Sequence, residues 1–192
     1  MPLPCDHFTL IAPVYDRICG RLDASHLWQL LRLPVTGRVL DVGGGTGRLA
    51  QHLRDRAGQV VVSDLAWGML RQARRKPGLA LVHAAAERLP FPNAAFERVF
   101  IVDAFHHLHD HAAAARELRR VLAPGGRLVI EEPDITAWPV KLVAFAERLL
   151  LMRSRFFAPA ALASLFAAPG FTVTIETDGR YTAWVVVDAP DA

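Results

Sequence analysis

The sequence predicts an α/β protein with a doubly wound, seven-stranded sheet. We expect this sheet to be mostly parallel, with an antiparallel hairpin strand at one edge and a helical cap at the N-terminus. Three observations predict this architecture. Apolar segments of strand length alternate with segments of helical periodicity, a glycine-rich turn follows the first strand, and a Thr-Asp-Gly turn separates the last two apolar segments. Such alternation implies parallel strands joined by right-handed crossovers.

The composition is that of one globular domain spanning residues 1–192. With 192 residues, 52% of them hydrophobic, the chain can bury a large core. The net charge of +3 is modest and no lysine or arginine block stands out, so nucleic-acid binding is not expected. Cys5 and Cys19 form no metal or redox motif. We find neither a signal peptide nor an apolar run of ~18 residues, so we expect a cytoplasmic protein without a transmembrane segment.

Residues 1–36 form the predicted helical cap. Apolar side chains recur at helical spacing in two segments, each of which we expect to be a helix. The first runs from Phe8 to Ile18, with Pro13 near a helix start, and the second runs from Leu22 to Leu31 and stops before Pro34. Because no strand is predicted here, we expect this region to cap the domain.

Residues 37–133 form the predicted cofactor-binding core. Five apolar segments have the pattern of buried strands: residues 39–42, 60–63, 79–82, 96–102 and 127–131. The periodicity between them predicts crossover helices over residues 46–57, 65–73 and 111–122.

Residues 134–192 are predicted to supply cover helices and the edge hairpin. An amphipathic helix is expected over residues 138–152, with Leu142 and Phe145 on its apolar side, and a second helix over residues 159–168. Strands at 171–176 and 181–187 flank the turn, and we expect them to close the far edge of the sheet.

The glycine-rich segment after the first strand is the first candidate site. Its glycines let the backbone turn tightly beside a ligand. The pattern is Asp-x-Gly-x-Gly-x-Gly at residues 41–47, and Arg48 stands where a dinucleotide-binding loop has its third glycine. The lysine of a P-loop and the serine of a hydrolase elbow are also missing. The loop therefore predicts a nucleotide-like cofactor of another kind.

Acidic residues lie at the ends of several predicted strands. They are Asp64, Asp103, Glu131 and Glu132. In an open parallel sheet, ligands bind at the C-terminal ends of the strands, near the point where the strand order reverses. We therefore expect these side chains to surround the same site as the glycine loop.

Five short motifs follow one another along the chain. They are Val-Leu-Asp-Val-Gly-Gly-Gly-Thr-Gly at 39–47, Val-Val-Ser-Asp-Leu at 61–65 with Met69, Glu-Arg-Leu-Pro-Phe-Pro at 87–92, Phe-His-His-Leu at 105–108, and Arg-Val-Leu-Ala-Pro-Gly-Gly-Arg at 120–127. Together they resemble the class I S-adenosylmethionine-dependent methyltransferases, closest to the ubiquinone/menaquinone biosynthesis branch. The resemblance implies a Rossmann-like fold and methyl transfer from S-adenosylmethionine to a small-molecule acceptor, with S-adenosylhomocysteine as product. A quinol precursor or another lipophilic metabolite is the acceptor that this branch implies.

The resemblance also implies which residues bind the methionyl and ribose groups. Gly43, Gly45 and Gly47 would let the loop pass under both groups. Asp41 would order the loop beside the methionyl ammonium, and Asp64 would accept hydrogen bonds from both ribose hydroxyls.

On the adenine side, the resemblance implies four further contacts. Leu65 and Met69 would pack on the ring, and Ala86 and Glu87 would border its polar edge. Asp103 would lie under the methionyl group, beside the transferred methyl.

His106 and His107 follow the fourth predicted strand, next to the implied methyl position. Histidine suits a general base near neutral pH, which is needed only if the acceptor loses a proton. Both are candidate bases, with His107 the better one because the family carries a histidine there; both also fit a structural role. His109 and His111 invite a metal interpretation, but no cysteine or carboxylate pattern accompanies them, and we expect no metal.

Acceptor contacts are assigned to Tyr15 in the cap, to His106 and to Trp138 at the start of a late helix. For Tyr15, packing between two helices is an equal alternative. Peripheral contact with an anionic membrane is a further hypothesis, for an acceptor that is a lipid. The arginines that would make this contact are Arg148, Arg153 and Arg155. The oligomeric state is not indicated.

Two other functions stay open at this point. One is a nicotinamide-dependent oxidoreductase, which Arg48 opposes. The other is a non-catalytic module that binds S-adenosylmethionine. Ala85 stands where the family often has an acid for the adenine amino group. Losing one such hydrogen bond costs about 0.5–1.5 kcal/mol, too little to abolish binding.

Overall fold

The computed structural model describes residues 7–18, 24–149 and 154–191. Several residues singled out above lie outside this part of the chain, namely Cys5, Cys19, Leu22 and Arg153. None of the helices in the described ranges is both long and apolar enough to cross a membrane.

Among the described residues, seven strands form one mixed sheet in the order β3-β2-β1-β4-β5-β7-β6. The strands are β1 Arg38–Val42, β2 Gln59–Asp64, β3 Leu79–His83, β4 Phe96–Val102, β5 Leu122–Pro133, β6 Thr172–Thr177 and β7 Thr182–Asp188. The first five are mutually parallel, whereas β7 runs antiparallel to β5 and β6 runs antiparallel to β7. The predicted fold class, with its hairpin at one edge, is confirmed.

Helices cover both faces of this sheet. The α-helices of the described residues are α1 His7–Ile18, α2 Ser25–Leu30, α3 Trp67–Ala73, α4 His111–Val121, α5 Trp138–Leu149 and α6 Pro159–Ser164. Alternate residues of a strand point to opposite faces. Accordingly, Leu40 joins a buried cluster with Leu118 of α4 and Leu162 of α6, while Val39 joins a second cluster with Leu27 of α2.

Three local predictions differ from the structure. Residues 46–57 form turns around a short 3-10 helix, Ala50–Leu53, because Gly47 has a φ of 69° that an α-helix does not accept. Pro13 lies inside α1, and not near its start. The fifth strand begins at Leu122 because that residue pairs with Phe96. The next pair is Arg98 with Arg127, so the Ala-Pro-Gly-Gly segment between them is an insertion in β5 that shifts the register.

The predicted apolar side of α5 is exposed. Leu142 is 58% exposed and Phe145 is 62% exposed, and Trp138 at the start of the helix is 71% exposed. The amphipathic pattern is present, but the described residues do not cover it.

Two arginines of the sheet bind the C-terminal end of α2. Arg98 Nε donates to the carbonyl oxygen of Leu31 at 2.7 Å, and Arg127 Nη1 donates to that of Leu30 at 2.9 Å. Arg127 also forms a two-pronged ion pair with Asp188, at 2.6 and 2.8 Å. The last carbonyls of a helix lack partners within it, so these guanidinium groups stabilise the helix end and fix it to the sheet.

Replacing Arg127 with leucine is expected to lower the free energy of unfolding by about 2–3 kcal/mol. The substitution leaves Asp188 and the Leu30 carbonyl without their cation, and breaking a buried pair on one side is costly. Urea denaturation followed by circular dichroism measures the change. Arg54→Leu is the control, since Arg54 is exposed and its one hydrogen bond to a described residue goes to the nearby Gln51 carbonyl. Equal stabilities of the two variants would contradict this role for Arg127.

The cap helix α1 lies across α3 and over the glycine loop. The backbone N–H of Gly68 donates to Thr9 Oγ1 at 3.0 Å. At the other end of α1, Asp16 accepts from Thr46 Oγ1 and from Lys76 Nζ, the latter at 2.7 Å. Helix α1 is thus attached to the glycine loop itself.

Candidate active site

The glycine loop is pinned to the end of β2 by backbone hydrogen bonds. The N–H groups of Gly43 and Gly44 donate to the carbonyl oxygen of Ser63 at 2.7 and 3.3 Å. At Gly43, with a φ of 65°, a Cβ would lie 2.7 Å from the Cβ of Ala104. Glycine is therefore required where the loop touches the turn that follows β4.

Asp64 organises the other side of the loop. Its Oδ2 accepts from the N–H of Gly45 at 2.8 Å, and its Oδ1 accepts from the N–H of Ala66 at 2.7 Å. Met69 is buried beneath, and a Cβ on Gly45 would lie 3.7 Å from its sulfur. Leu65, the other residue assigned to the adenine ring, is 64% exposed.

The segment assigned to the polar edge of the adenine lies beside Asp64. The N–H of Ala84 donates to the Asp64 carbonyl at 3.2 Å, and Ala86 is buried. Glu87 Oε1 accepts from the backbone N–H groups of His109 and Asp110, at 2.8 and 3.2 Å. Glu87 therefore fixes the turn before α4, in addition to any contact with a ligand.

Carboxyl groups with raised pKa values converge on this edge of the sheet. Burial and the nearby negative charge of Asp64 raise the pKa of Asp41 well above its usual range. The Asp103 side chain is exposed at the surface, yet desolvation by the surrounding protein, with the charge of Glu132, raises its pKa to about 6. The pKa of Glu131 is raised mainly by burial. We call Asp41, Asp64, Asp103 and Glu131 the acidic rim.

Arg48 is a cation whose charge acts on this rim. Its charge lowers the pKa values of Asp41, Asp103 and Glu131, although the raising effects are larger. The site therefore keeps an excess of acidic groups, which favours a ligand that carries positive charge.

His106 and His107 lie together in the 3-10 turn Phe105–His107, directly after β4. His106 is buried, and its Nδ1 lies 2.5 Å from Glu132 Oε2. The other oxygen of Glu132 accepts from the N–H groups of Ala104 and Phe105, at 3.0 and 2.7 Å. Glu132 thus holds both the backbone of the turn and the histidine ring.

His107 has different surroundings. Its Nδ1 lies 3.0 Å from Ser154 Oγ, and Phe8 of α1 packs edge-on against the ring at 5.0 Å between centroids. Desolvation, reinforced by the neighbouring His106, lowers the pKa of His107 to about 3. His107 is therefore neutral at any ordinary pH.

The remaining predicted residues differ in their surroundings. Tyr15 is half-buried and packs with Phe8 on the cluster that contains Met69, the residue beneath Gly45. Trp138 lies open to solvent. His111 is buried against Phe105 and Phe157, away from the exposed His109.

Within the described ranges, no three His, Cys, Asp or Glu side chains group as a possible metal site.

Two features of the site were not assigned from the sequence. Glu132 was noted only as an acid at a strand end, which was the available signal for its role. The contact of Asp16 with Thr46 and Lys76 had no local signal, because it joins segments 30 and 60 residues apart.

Comparisons with known proteins find methyltransferases among the relatives of this chain. Residues 40–130 match the family model of a methyltransferase domain. The chain is 36% identical over 204 residues to demethylmenaquinone methyltransferase from Thermus thermophilus, which covers 88% of this chain and 93% of that protein. It is 32% identical over 147 residues to the ubiquinone/menaquinone biosynthesis C-methyltransferase UbiE of Shewanella oneidensis, covering 64% of this chain and 59% of that protein.

A solved structure has the same fold. The S-adenosylmethionine-dependent methyltransferase from Mesorhizobium loti matches with a TM-score of 0.74 at 20% identity, covering 89% of this chain and 99% of that one. These findings leave the oxidoreductase and the non-catalytic module without support. The near full-length match to the Thermus protein shows that the chain belongs to the S-adenosylmethionine-dependent methyltransferases, in the family of the ubiquinone and menaquinone biosynthesis enzymes.

Proposed function

We propose that the chain binds S-adenosylmethionine at the glycine loop and transfers its methyl group to a small, lipophilic acceptor of the quinol type. The observation that carries the cofactor assignment is the acidic rim. S-adenosylmethionine bears a sulfonium and an ammonium group, and both need negative partners. Carboxyl groups whose pKa values are raised by burial and mutual repulsion gain most from a bound cation. The pyrophosphate of a dinucleotide would add negative charge to the same place.

The residues around the loop fit the parts of this cofactor. Asp64 would meet the ribose hydroxyls with the lone pairs that remain beside its two backbone hydrogen bonds. Buried Met69 would lie under the adenine, and Ala86 would border its edge. Asp41 and Asp103 would face the charged methionyl end. When bound, the cofactor supplies an activated methyl group, so the protein mainly has to position the acceptor.

The acceptor class is supported by exposed apolar surface and by the relatives. Leu10 and Val14 of α1 are 69% and 43% exposed, and Leu142 and Phe145 of α5 are similarly open. Such surface suits an acceptor with an apolar chain. The matched relatives are named for demethylmenaquinone and for ubiquinone/menaquinone biosynthesis.

Binding of S-adenosylhomocysteine, S-adenosylmethionine and NAD⁺, measured by calorimetry, tests the cofactor. Only the first two should bind. Affinity for S-adenosylmethionine should fall as the pH drops below about 6, because protonation of Asp103 removes a negative charge beside the ligand. Asp103→Asn should flatten that pH dependence. Binding of NAD⁺ alone would contradict the assignment, and labelled methyl transfer to a short-chain naphthoquinol tests the acceptor.

A further inference from the structure

We infer that His106, held by Glu132, is the general base of the methyl transfer, and that the acceptor is therefore a nucleophile that must lose a proton, such as a phenol or a quinol. This inference rests on the proposed function and adds to it the base, its positioning residue and the acidity of the acceptor.

The position of the turn places His106 near the glycine loop. Ala104, two residues before it, touches the glycine loop at Gly43. Asp103, which begins the turn, belongs to the acidic rim and senses the charge of His106. The histidine thus lies where the C-terminal end of β4 meets the cofactor loop, the region that binds ligands in sheets of this type.

Glu132 fixes the orientation of the histidine ring. Its Oε1 is committed to two backbone N–H groups, so the carboxylate cannot rotate freely, and its Oε2 faces Nδ1 of His106 at 2.5 Å. A carboxylate accepts only, so the proton of this hydrogen bond stays with Nδ1. In the neutral form of the ring, the opposite nitrogen, Nε2, then carries the lone pair that a general base requires.

The surroundings also shield the ring from water. Phe156 stacks on it at 4.4 Å between centroids with 19° between planes, and the N–H of Arg155 donates to the His106 carbonyl at 2.7 Å. His107 packs on another side, at 4.0 Å. Glu132 then stabilises the imidazolium that forms when the proton arrives, because the interaction acts in a dry environment.

His107 does not suit the same task. Its ring lacks a carboxylate partner in the described contacts, and Ser154 and Phe8 occupy its surroundings. The low pKa of about 3 agrees with this, since so weak a base takes up little of a phenolic proton. We therefore assign the base to His106, and not to His107, which the sequence analysis favoured.

The proposed step balances for a quinol. His106 Nε2 takes the proton of the acceptor hydroxyl, and the electron-rich ring carbon of the resulting anion forms a bond to the methyl carbon. The bond between the methyl carbon and sulfur breaks, and its electron pair stays on sulfur. The ring then loses the proton of the methylated carbon and the hydroxyl is restored, so one proton is released for each methyl transferred.

Glu132→Gln tests the base without removing the support of the turn. The glutamine oxygen can still accept from Ala104 and Phe105, while its NH₂ group now faces His106 and forces Nδ1 to become the acceptor. Nitrogen-15 NMR should therefore show the imidazole proton moving from Nδ1 to Nε2. Glu97→Gln is the matched control, because Glu97 also accepts a backbone N–H, from Gly37 at 3.1 Å, at the opposite end of β4.

Turnover is compared on two acceptors, a short-chain 1,4-naphthoquinol and a fluorinated analogue that is already ionised at the assay pH. On the first, Glu132→Gln and His106→Gln should lower kcat by about 10²–10⁴-fold, the range of general-base effects, with S-adenosylhomocysteine affinity unchanged. On the second, the loss should shrink below about tenfold. Glu97→Gln should behave as wild type on both.

Equal losses on the two acceptors, or an unmoved imidazole proton, would overturn the base assignment. Wild-type turnover on only the ionised analogue would overturn the acceptor class. Failure of the wild-type chain to bind S-adenosylhomocysteine would instead refute the proposed function, so the two failures are distinguishable.

Discussion

Asp64→Ala is expected to weaken binding of S-adenosylhomocysteine by at least about 100-fold. The carboxylate accepts from Gly45 and Ala66, and it is the proposed partner of both ribose hydroxyls. Hydrogen bonds to a charged group contribute about 1.5–3 kcal/mol each, so the loss of two such bonds to the ligand corresponds to this factor or more. The substitution also releases the loop that shapes the site. Isothermal titration calorimetry measures the change.

Two further variants separate ligand binding from loop structure. Asp64→Asn keeps one acceptor oxygen and should lose about tenfold in affinity. Ser63→Ala, one residue earlier in β2, is the control. The Ser63 hydroxyl is buried and has no hydrogen-bond partner among the described residues, so its removal should leave affinity unchanged and stability equal or higher. An Asp64→Ala protein that binds the ligand normally would refute the ribose assignment.

Local patterns predicted the sheet and the position of the site. Parallel strands are buried on both faces and are therefore continuous apolar runs, which is why Phe96–Val102 is found within its predicted bounds. The acids at strand ends follow from the same rule, since parallel strands end at one edge. The sequence therefore predicts that these acidic residues lie close together, although it does not predict their individual contacts.

Features that depend on register or on distant contacts could not be predicted in this way. Glu132 reaches His106 because Val102 of β4 pairs with Glu131 of β5, which places the next residue beside the turn after β4. A shift of one residue would exchange the two glutamates between the faces of the sheet. The exposed face of α5 shows the same limit, because periodicity predicts an apolar side but not what covers it.

Gly68→Val is expected to displace the cap helix from the cofactor loop. Gly68 lies in α3, where a Cβ would come within 2.6 Å of the Cα of Thr9 and 2.7 Å of its carbonyl oxygen, both backbone atoms of α1. A flexible side chain could move aside from such a contact, whereas a helix backbone moves only as a unit. In an ordinary helix, replacing glycine with a larger residue improves helix propensity. A loss of activity in the Gly68→Val protein would therefore report on the contact between the two helices.

The displacement should reach the active site, because α1 connects Thr9 to Phe8, which packs on His107, and to Asp16, which binds the glycine loop at Thr46. We expect kcat/KM to fall by roughly 10–100-fold, as small errors in positioning are costly in group transfer. Hydrogen exchange should rise in α1 while the sheet stays protected, since the atoms nearest to the added Cβ all belong to Thr9 of α1. Arg71→Ala, an exposed change in the same helix, is the control. If α1 kept its protection in the Gly68→Val protein, the close contact with Thr9 would not be what holds the cap in place.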